Sequence, residues 1–248
     1  MATGTSKEVA TTKQEKAIVP AHIASQFDDF DDDVVLTNQD YIIPRLKLLQ
    51  GSSDEVKEGR GNVGEYMTNQ GELLAAKDKD LELLIVKRDK YWSISEIDES
   101  GKKVKGGEWR REPFTLDNAQ REWNFYDNGK KFSANIVYDN FVIVASADEK
   151  IFSQIPMIFS LSRSSARVAK DLNTKFQKLK TQGKLPVSVV YKFARKLEKS
   201  KDGDTFLVPT VMQGRDSTES EIEAAAYWRN ELAKGKVKID GEESGDEA

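Results

Sequence analysis

Residues 155–197 read IPMIFSLSRSSARVAKDLNTKFQKLKTQGKLPVSVVYKFARKL, and two changes of periodicity inside this stretch decide the fold. Ile155 to Leu161 is an apolar run of strand length. Ser164 then has the character of a helix N-cap, because its hydroxyl can accept from a first-turn N–H, and a helix is predicted from it to about Thr181. Val168, Ala169, Leu172, Phe176 and Leu179 share one face at helical spacing, while Arg163, Arg167, Lys170 and Lys178 fall on the opposite face. Gly183 and Pro186 end the helix. From Val187 to Leu197 the period drops to two, with Val187, Val189, Tyr191, Phe193 and Leu197 on one side and Ser188, Lys192 and Lys196 on the other.

Working outward, Leu81 to Ile97 reads as a long strand with Leu81, Leu83 and Ile85 on one face and Leu84 and Val86 on the other. Ile136 to Ala147 is a second, centred on Phe141-Val142-Ile143-Val144. The 98–134 segment between them is a polar excursion broken by Gly101, Gly106, Gly107 and Gly129. Inside it, Asp127-Asn128-Gly129-Lys130 predicts a hairpin turn joining Trp123–Tyr126 to Lys131-Phe132. Downstream, Asp202-Gly203 turns into a fifth strand, Phe206 to Met212, and a last helix is predicted from about Glu219 to Lys234. Near the start, Arg45 to Leu48 alternate, Pro44 argues against a helix there, residues 51–62 read as a polar loop and Tyr66-Met67-Thr68 as a short strand.

The expected class is therefore mostly β with flanking helices (α+β). The element order is that of an OB-like five-stranded barrel with a helix between strands 3 and 4 and a long insertion between strands 1 and 2. An OB-fold binds oligonucleotides on its strand 2–3 face and with the loops joining strands 1–2 and 4–5, here 98–134 and 198–204. The same order also suits an unrelated α+β sheet. In domain terms, residues 1–40 are expected to be a disordered acidic arm, 41–239 one OB-like nucleic-acid-binding domain, and 240–248 a disordered acidic tail.

The chain has 248 residues, no Cys and a single His, His22. Thiol nucleophiles, Cys-ligated metal sites and disulfides are excluded, and no His pair exists to hold a metal. Gly59-Arg60-Gly61-Asn62-Val63-Gly64 lacks the Lys-Ser/Thr of a phosphate loop, and no closely spaced metal-ligand set stands out. The expectation is a non-enzymatic protein without cofactor or metal. No apolar run is long enough to span a membrane and no leader is visible, so a cytoplasmic location is expected.

The net charge of −4 conceals strong segregation. Residues 1–40 hold 8 acids and 3 bases, and residues 240–248 hold 5 acids and no base. Residues 163–201 hold 12 bases and 2 acids. Such a concentration of positive charge points to a polyanion as partner. The candidate contacts in and beside the insertion are Trp92, Trp109, Arg110, Arg111, Arg121, Trp123, Phe125, Tyr126, Lys130, Lys131 and Phe132. Rings beside cations suit a single strand, whose bases stack while its phosphates meet Lys and Arg. The same rings also suit a local minicore beneath a hairpin. Lys192, Arg195, Lys196 and Lys199, near the second expected loop, complete the nucleic-acid set.

A positive, strand-rich body with interleaved aromatics and an acidic C-terminus resembles, over roughly residues 80–248, the replicative single-stranded DNA-binding proteins of tailed bacteriophages. Ile43-Pro44-Arg45-Leu46-Lys47-Leu48-Leu49-Gln50 also looks like a segment near the N-terminus of uncharacterised phage proteins. The resemblance implies an OB-fold that coats single-stranded DNA without base preference in DNA replication or recombination, in the host cytoplasm. It also implies an acidic tail that contacts replication proteins, here through Asp240, Glu242, Glu243, Asp246 and Glu247. The tail departs from the pattern in lacking a terminal aromatic, and Phe27 and Phe30, set in the acid run Asp28–Asp33, could carry that role instead. The rival reading is a protein-interaction factor whose acidic arms engage or inhibit a host enzyme.

Overall fold

In the computed structural model, residues 42–146, 151, 154–200, 203–234 and 238–239 are described, the last two as backbone. The expected arm 1–40 and tail 240–248 lie outside them, and with them Phe27, Phe30, Asp240, Glu242, Glu243, Asp246 and Glu247.

The long strands form where alternation was strongest. They are β5 (Leu81–Glu96), β8 (Lys130–Val144), β9 (Met157–Ser162), β10 (Val189–Lys199) and β11 (Thr205–Asp216). Two helices accompany them, α2 (Ala166–Thr181) and α3 (Glu219–Ala233); a single helical turn, α1 (Asp54–Lys57), comes earlier. Six shorter strands complete the set: β1 (Ile42–Ile43), β2 (Arg45–Leu48), β3 (Tyr66–Thr68), β4 (Leu73–Ala75), β6 (Trp109–Pro113) and β7 (Asn124–Asp127). Lys238–Ile239, β12, pairs in parallel with β1. The class is α+β, dominated by strand.

The main sheet runs β11-β10-β5-β8-β9-β2-β3-β4, with β6 added to β5 and β7 added to β8. β5 carries Leu83 and Ile85 to one face and Leu84 and Val86 to the other, as the alternation predicts. The first face packs under α2, whose Val168, Ala169, Leu172 and Leu179 join Tyr66, Phe159, Tyr191 and Phe193 in the larger core. The second face packs under α3, where Ala224, Ala225 and Leu232 meet Phe141, Ile143, Ile158 and Val190. α3 starts on a capping box of Thr218 and Glu221, and Arg215 donates to both carboxylate oxygens of Glu221 at 2.7 and 2.6 Å. Burial opposes ionisation of Glu221, but Arg215 and the Thr218 N–H outweigh it and hold the carboxyl below its ordinary range.

Three expectations are corrected. The five-stranded barrel does not close: β9 pairs in parallel with β2 (Arg45↔Ile158, Leu46↔Phe159), not with β11. β2 wins that edge because Leu46 is buried in the core under α2, and the preceding Ile43 in the core under α3. The free edge of β11 is met by a side chain: the Gln50 amide donates to the Leu207 carbonyl and accepts from the Leu207 N–H, both at 2.9 Å. Two residues on, Pro209 has no N–H to offer that edge. Secondly, the 98–134 insertion is not an open loop, since β6 and β7 extend the sheet. Asn128 and Gly129 take φ of 50° and 79° in the turn to β8, as a type I′ hairpin requires. Thirdly, the turn into α2 begins one step earlier than Ser164. A 3₁₀ turn over Arg163–Ser165 precedes the helix, and the Ser162 N–H donates to Ser165 Oγ at 2.9 Å. Among the described residues, no helix is long and apolar enough to cross a membrane.

Candidate nucleic-acid interface

The strands β6-β5-β8-β7 form a four-stranded extension, and the strand period of two sorts its candidate residues onto two faces. Glu112 stands opposite Trp92, Arg110 opposite Ile94, and Phe125 opposite Phe132; these share the face that holds a small core of Trp92, Ile94, Phe132 and Ala134. Trp92 and Phe132 are each 1% exposed. Phe114 stacks on Trp92 at 5.7 Å between centroids, Phe125 stacks on Phe132 at 5.6 Å, and the Trp92 Nε1–H donates to Asn118 Oδ1 at 3.1 Å. The faces of Trp92, Phe125 and Phe132 are taken up by that packing. Trp123 packs edge-on against Trp92 at 6.2 Å but remains 59% exposed.

Trp109, Arg111, Tyr126 and Lys131 occupy the other face of the extension. Trp109 stands opposite Ser95, Arg111 opposite Ser93, and Tyr126 opposite Lys131. Tyr126 is 65% exposed, and the Trp109 Nε1–H donates to Ser93 Oγ at 3.0 Å. The Arg111 guanidinium lies over the Tyr91 ring at 3.8 Å and 3.5 Å from the buried Asp139 carboxylate. Ser160 donates to the other oxygen of that carboxylate at 2.6 Å.

Four further cations of the extension are held by carboxylates, Arg110, Arg121, Lys130 and Lys131. Arg110 meets Asp127 at 2.7 Å, with Glu108 and Glu112 at 3.6 and 3.9 Å. Arg121 meets Glu112 at 2.5 Å, Lys130 meets Glu96 at 2.8 Å and Lys131 meets Glu99 at 3.5 Å. The hydrogen bond that Arg110 donates to Asp127 raises its pKa, and the one that Lys130 donates to Glu96 does the same for Lys130. Each pair lowers the net charge that the extension shows to a polyanion.

The second expected group also divides. Arg195 donates to the carbonyls of Gly64 and Ala76 at 2.6 and 2.7 Å and to that of Lys79, so it ties β10 to the β3–β5 region. Lys192 pairs with Asp80 at 3.4 Å and Lys196 with Glu198 at 3.5 Å. Lys199 is exposed and makes no ion pair among the described residues.

On α2 and its lead-in the situation is reversed. Residues 163–181 carry Arg163, Arg167, Lys170, Lys175, Lys178 and Lys180 against one acid, Asp171. None of the six makes an ion pair among the described residues, and all but the half-buried Lys175 are exposed. The helix is anchored by its apolar face, so these cations hold a fixed array. Beside α2, β5 contributes two further cations that the sequence reading did not single out. Arg88 donates to Asn140 Oδ1 at 2.8 Å and to Asn173 Oδ1 at 2.6 Å, and lies over the Phe176 ring at 5.0 Å. Lys90 sits over the rings of Phe114 at 3.1 Å and Tyr138 at 5.4 Å. Their signal in the sequence was Lys87-Arg88-Asp89-Lys90, a charged break in an otherwise apolar strand.

No protein family, no curated protein and no solved structure matches this chain.

Proposed function

We propose that this chain is a non-enzymatic single-stranded DNA-binding protein, with its main electrostatic surface on α2 and its stacking rings at Trp123 and Tyr126. The observation that carries the reading is the set of six cations over residues 163–181 that meet no carboxylate among the described residues, on a helix anchored by its buried face. Phosphates supply the missing counter-charge, and exposed rings supply sequence-tolerant contacts to bases. The architecture is read as OB-like and opened at its seam. In support, β5, β8, β9, β10 and β11 keep the order of pairing β9-β8-β5-β10-β11, with α2 between the third and fourth of them in sequence. The setting in phage DNA replication or recombination is proposed from the resemblance in layout.

Fluorescence anisotropy with labelled oligo(dT) and a duplex of equal length, at several salt concentrations, tests the reading. Binding is expected to favour the single strand and to weaken with salt at a log–log slope of roughly −0.7 per phosphate contacted. Equal affinity for the two probes, or indifference to salt, would sink it.

A further inference from the structure

Arg88 of β5 reaches Asn173 and Ala169 of α2, Lys90 follows two residues on along the same face of the strand, and Lys170 is the next residue of α2 after Ala169; none of the three has a carboxylate within ion-pair distance among the described residues. Arg88 spends its donors on neutral acceptors: Asn140, Asn173 and, at 3.5 Å, the Ala169 carbonyl. The last of these is long enough to leave its nitrogen available. Lys90 has two aromatic faces beside it, and those satisfy a cation only in part. Lys170, on the same turn of α2 as Ala169, is exposed. Other half-buried cations are mostly neutralised: Arg110, Arg111, Arg121, Lys131 and Lys192 have carboxylates, and Arg195 is held by three carbonyls. Three adjacent cations without a carboxylate, two of them half-buried, repel each other and are stabilised by an anion from outside.

We infer that Arg88, Lys90 and Lys170 form a seat for a single phosphate group, fixed between α2 and the base of the hairpin extension. This rests on the proposed function, in which the phosphate is a backbone diester of a bound strand. Phe114, which covers Lys90, also stacks on Trp92, and the exposed Trp123 packs edge-on against the same Trp92 ring. A phosphate in the seat thus lies between the array of α2 and an exposed ring on which a neighbouring base can stack. The state of Lys90 agrees: burial, and then the nearby Lys170, lower its pKa, the condition of an ammonium lacking a counterion.

Competitive acetylation of the intact protein, read lysine by lysine by mass spectrometry, tests the seat with two probes, inorganic pyrophosphate and oligo(dT). Lys90 and Lys170 are expected to lose at least fivefold in reactivity with either probe, while Lys102, Lys103 and Lys105 in the exposed turn of the insertion stay unchanged. Protection by pyrophosphate without binding of oligo(dT) upholds the seat and removes the single-strand reading. Salt-dependent binding of oligo(dT) with Lys90 and Lys170 still fully reactive overturns the seat and leaves that reading in place. Unchanged reactivity with both probes also overturns the seat. As a second measurement, Lys90→Met keeps the aliphatic stem against Phe114 and removes the charge. It is expected to weaken oligo(dT) binding about tenfold and to lower the salt slope by about 0.7, with an unchanged melting temperature.

Discussion

Eight bases in residues 98–134 stand among seven acids, whereas six in residues 163–181 stand with one. The first segment interleaves both signs on the same faces, so Arg110, Arg121 and Lys130 find partners within the extension. The helix of the second, with its lead-in, carries six cations and only one acid, Asp171, and the apolar core beneath it has no acid to offer. Two segments rich in Lys and Arg therefore differ in what a polyanion meets. Among the described residues, a polyanion at Arg110, Arg121, Lys130 or Lys131 must break existing ion pairs, whereas on α2 it finds none. A count of bases does not measure a binding surface, because only cations without a partner inside the fold contribute their full charge to the field outside.

The comparison can be broken most forcefully at Trp92. Trp92→Ala is expected to cost about 3–5 kcal/mol of stability in urea unfolding, since it empties a ring site 1% exposed, while the folded fraction binds oligo(dT) normally. A stable variant that fails to bind would place Trp92 in the interface after all. Next comes the helix. Arg167→Gln, Lys170→Gln and Lys178→Gln together are expected to weaken oligo(dT) binding about a hundredfold near 0.1 M salt and to lower the salt slope by about 2, on the basis of roughly 0.7 per contact. Wild-type affinity in this variant would remove α2 from the interface. Trp123→Ala sharpens the contrast within the extension: about 1–3 kcal/mol is lost from binding and little from stability, with loss of the fluorescence quenching that oligo(dT) causes in the wild type. An early melt with normal binding would make Trp123 part of the minicore. The smallest effect belongs to Arg121→Gln, which removes a cation already paired with Glu112. Its salt slope should match the wild type, and the stability change should stay within about 1 kcal/mol.

Much of the fold was legible because its signals are local. The switch from period two to helical period and back around α2, and the Asn128-Gly129 turn, need no knowledge of partners. β6 was not legible: Trp109-Arg110-Arg111-Glu112 carries charge on both faces, so alternation of polarity cannot reveal a strand. Which of Arg110 and Arg111 turns toward the minicore depends on the register of β6 against β5, set by pairing across more than a dozen residues. The pairing at β2 was hidden for the same reason on a larger scale, since Arg45 meets Ile158 from nearly half the chain away. For the site, the aromatic and basic interleaving of the insertion drew attention away from Glu108, Glu112 and Asp127, which stand in the same few turns of sequence. The shortage of acids along α2 was the more informative pattern. Arg88 and Lys90 acquire their significance only where α2 crosses β5.

Gln50 gives the β11 edge a kind of chaperoning. An open sheet edge recruits other strands, from a second copy as readily as from anywhere else. At Leu207 both backbone groups that such a strand would need are already engaged by one side-chain amide, and at Pro209 the donor is missing from the chain itself. Leaving this edge open thus carries little risk of strand-to-strand self-association at Leu207 and Pro209. A single glutamine and a single proline withdraw from this edge the backbone donors and acceptors that a neighbouring molecule's strand would need.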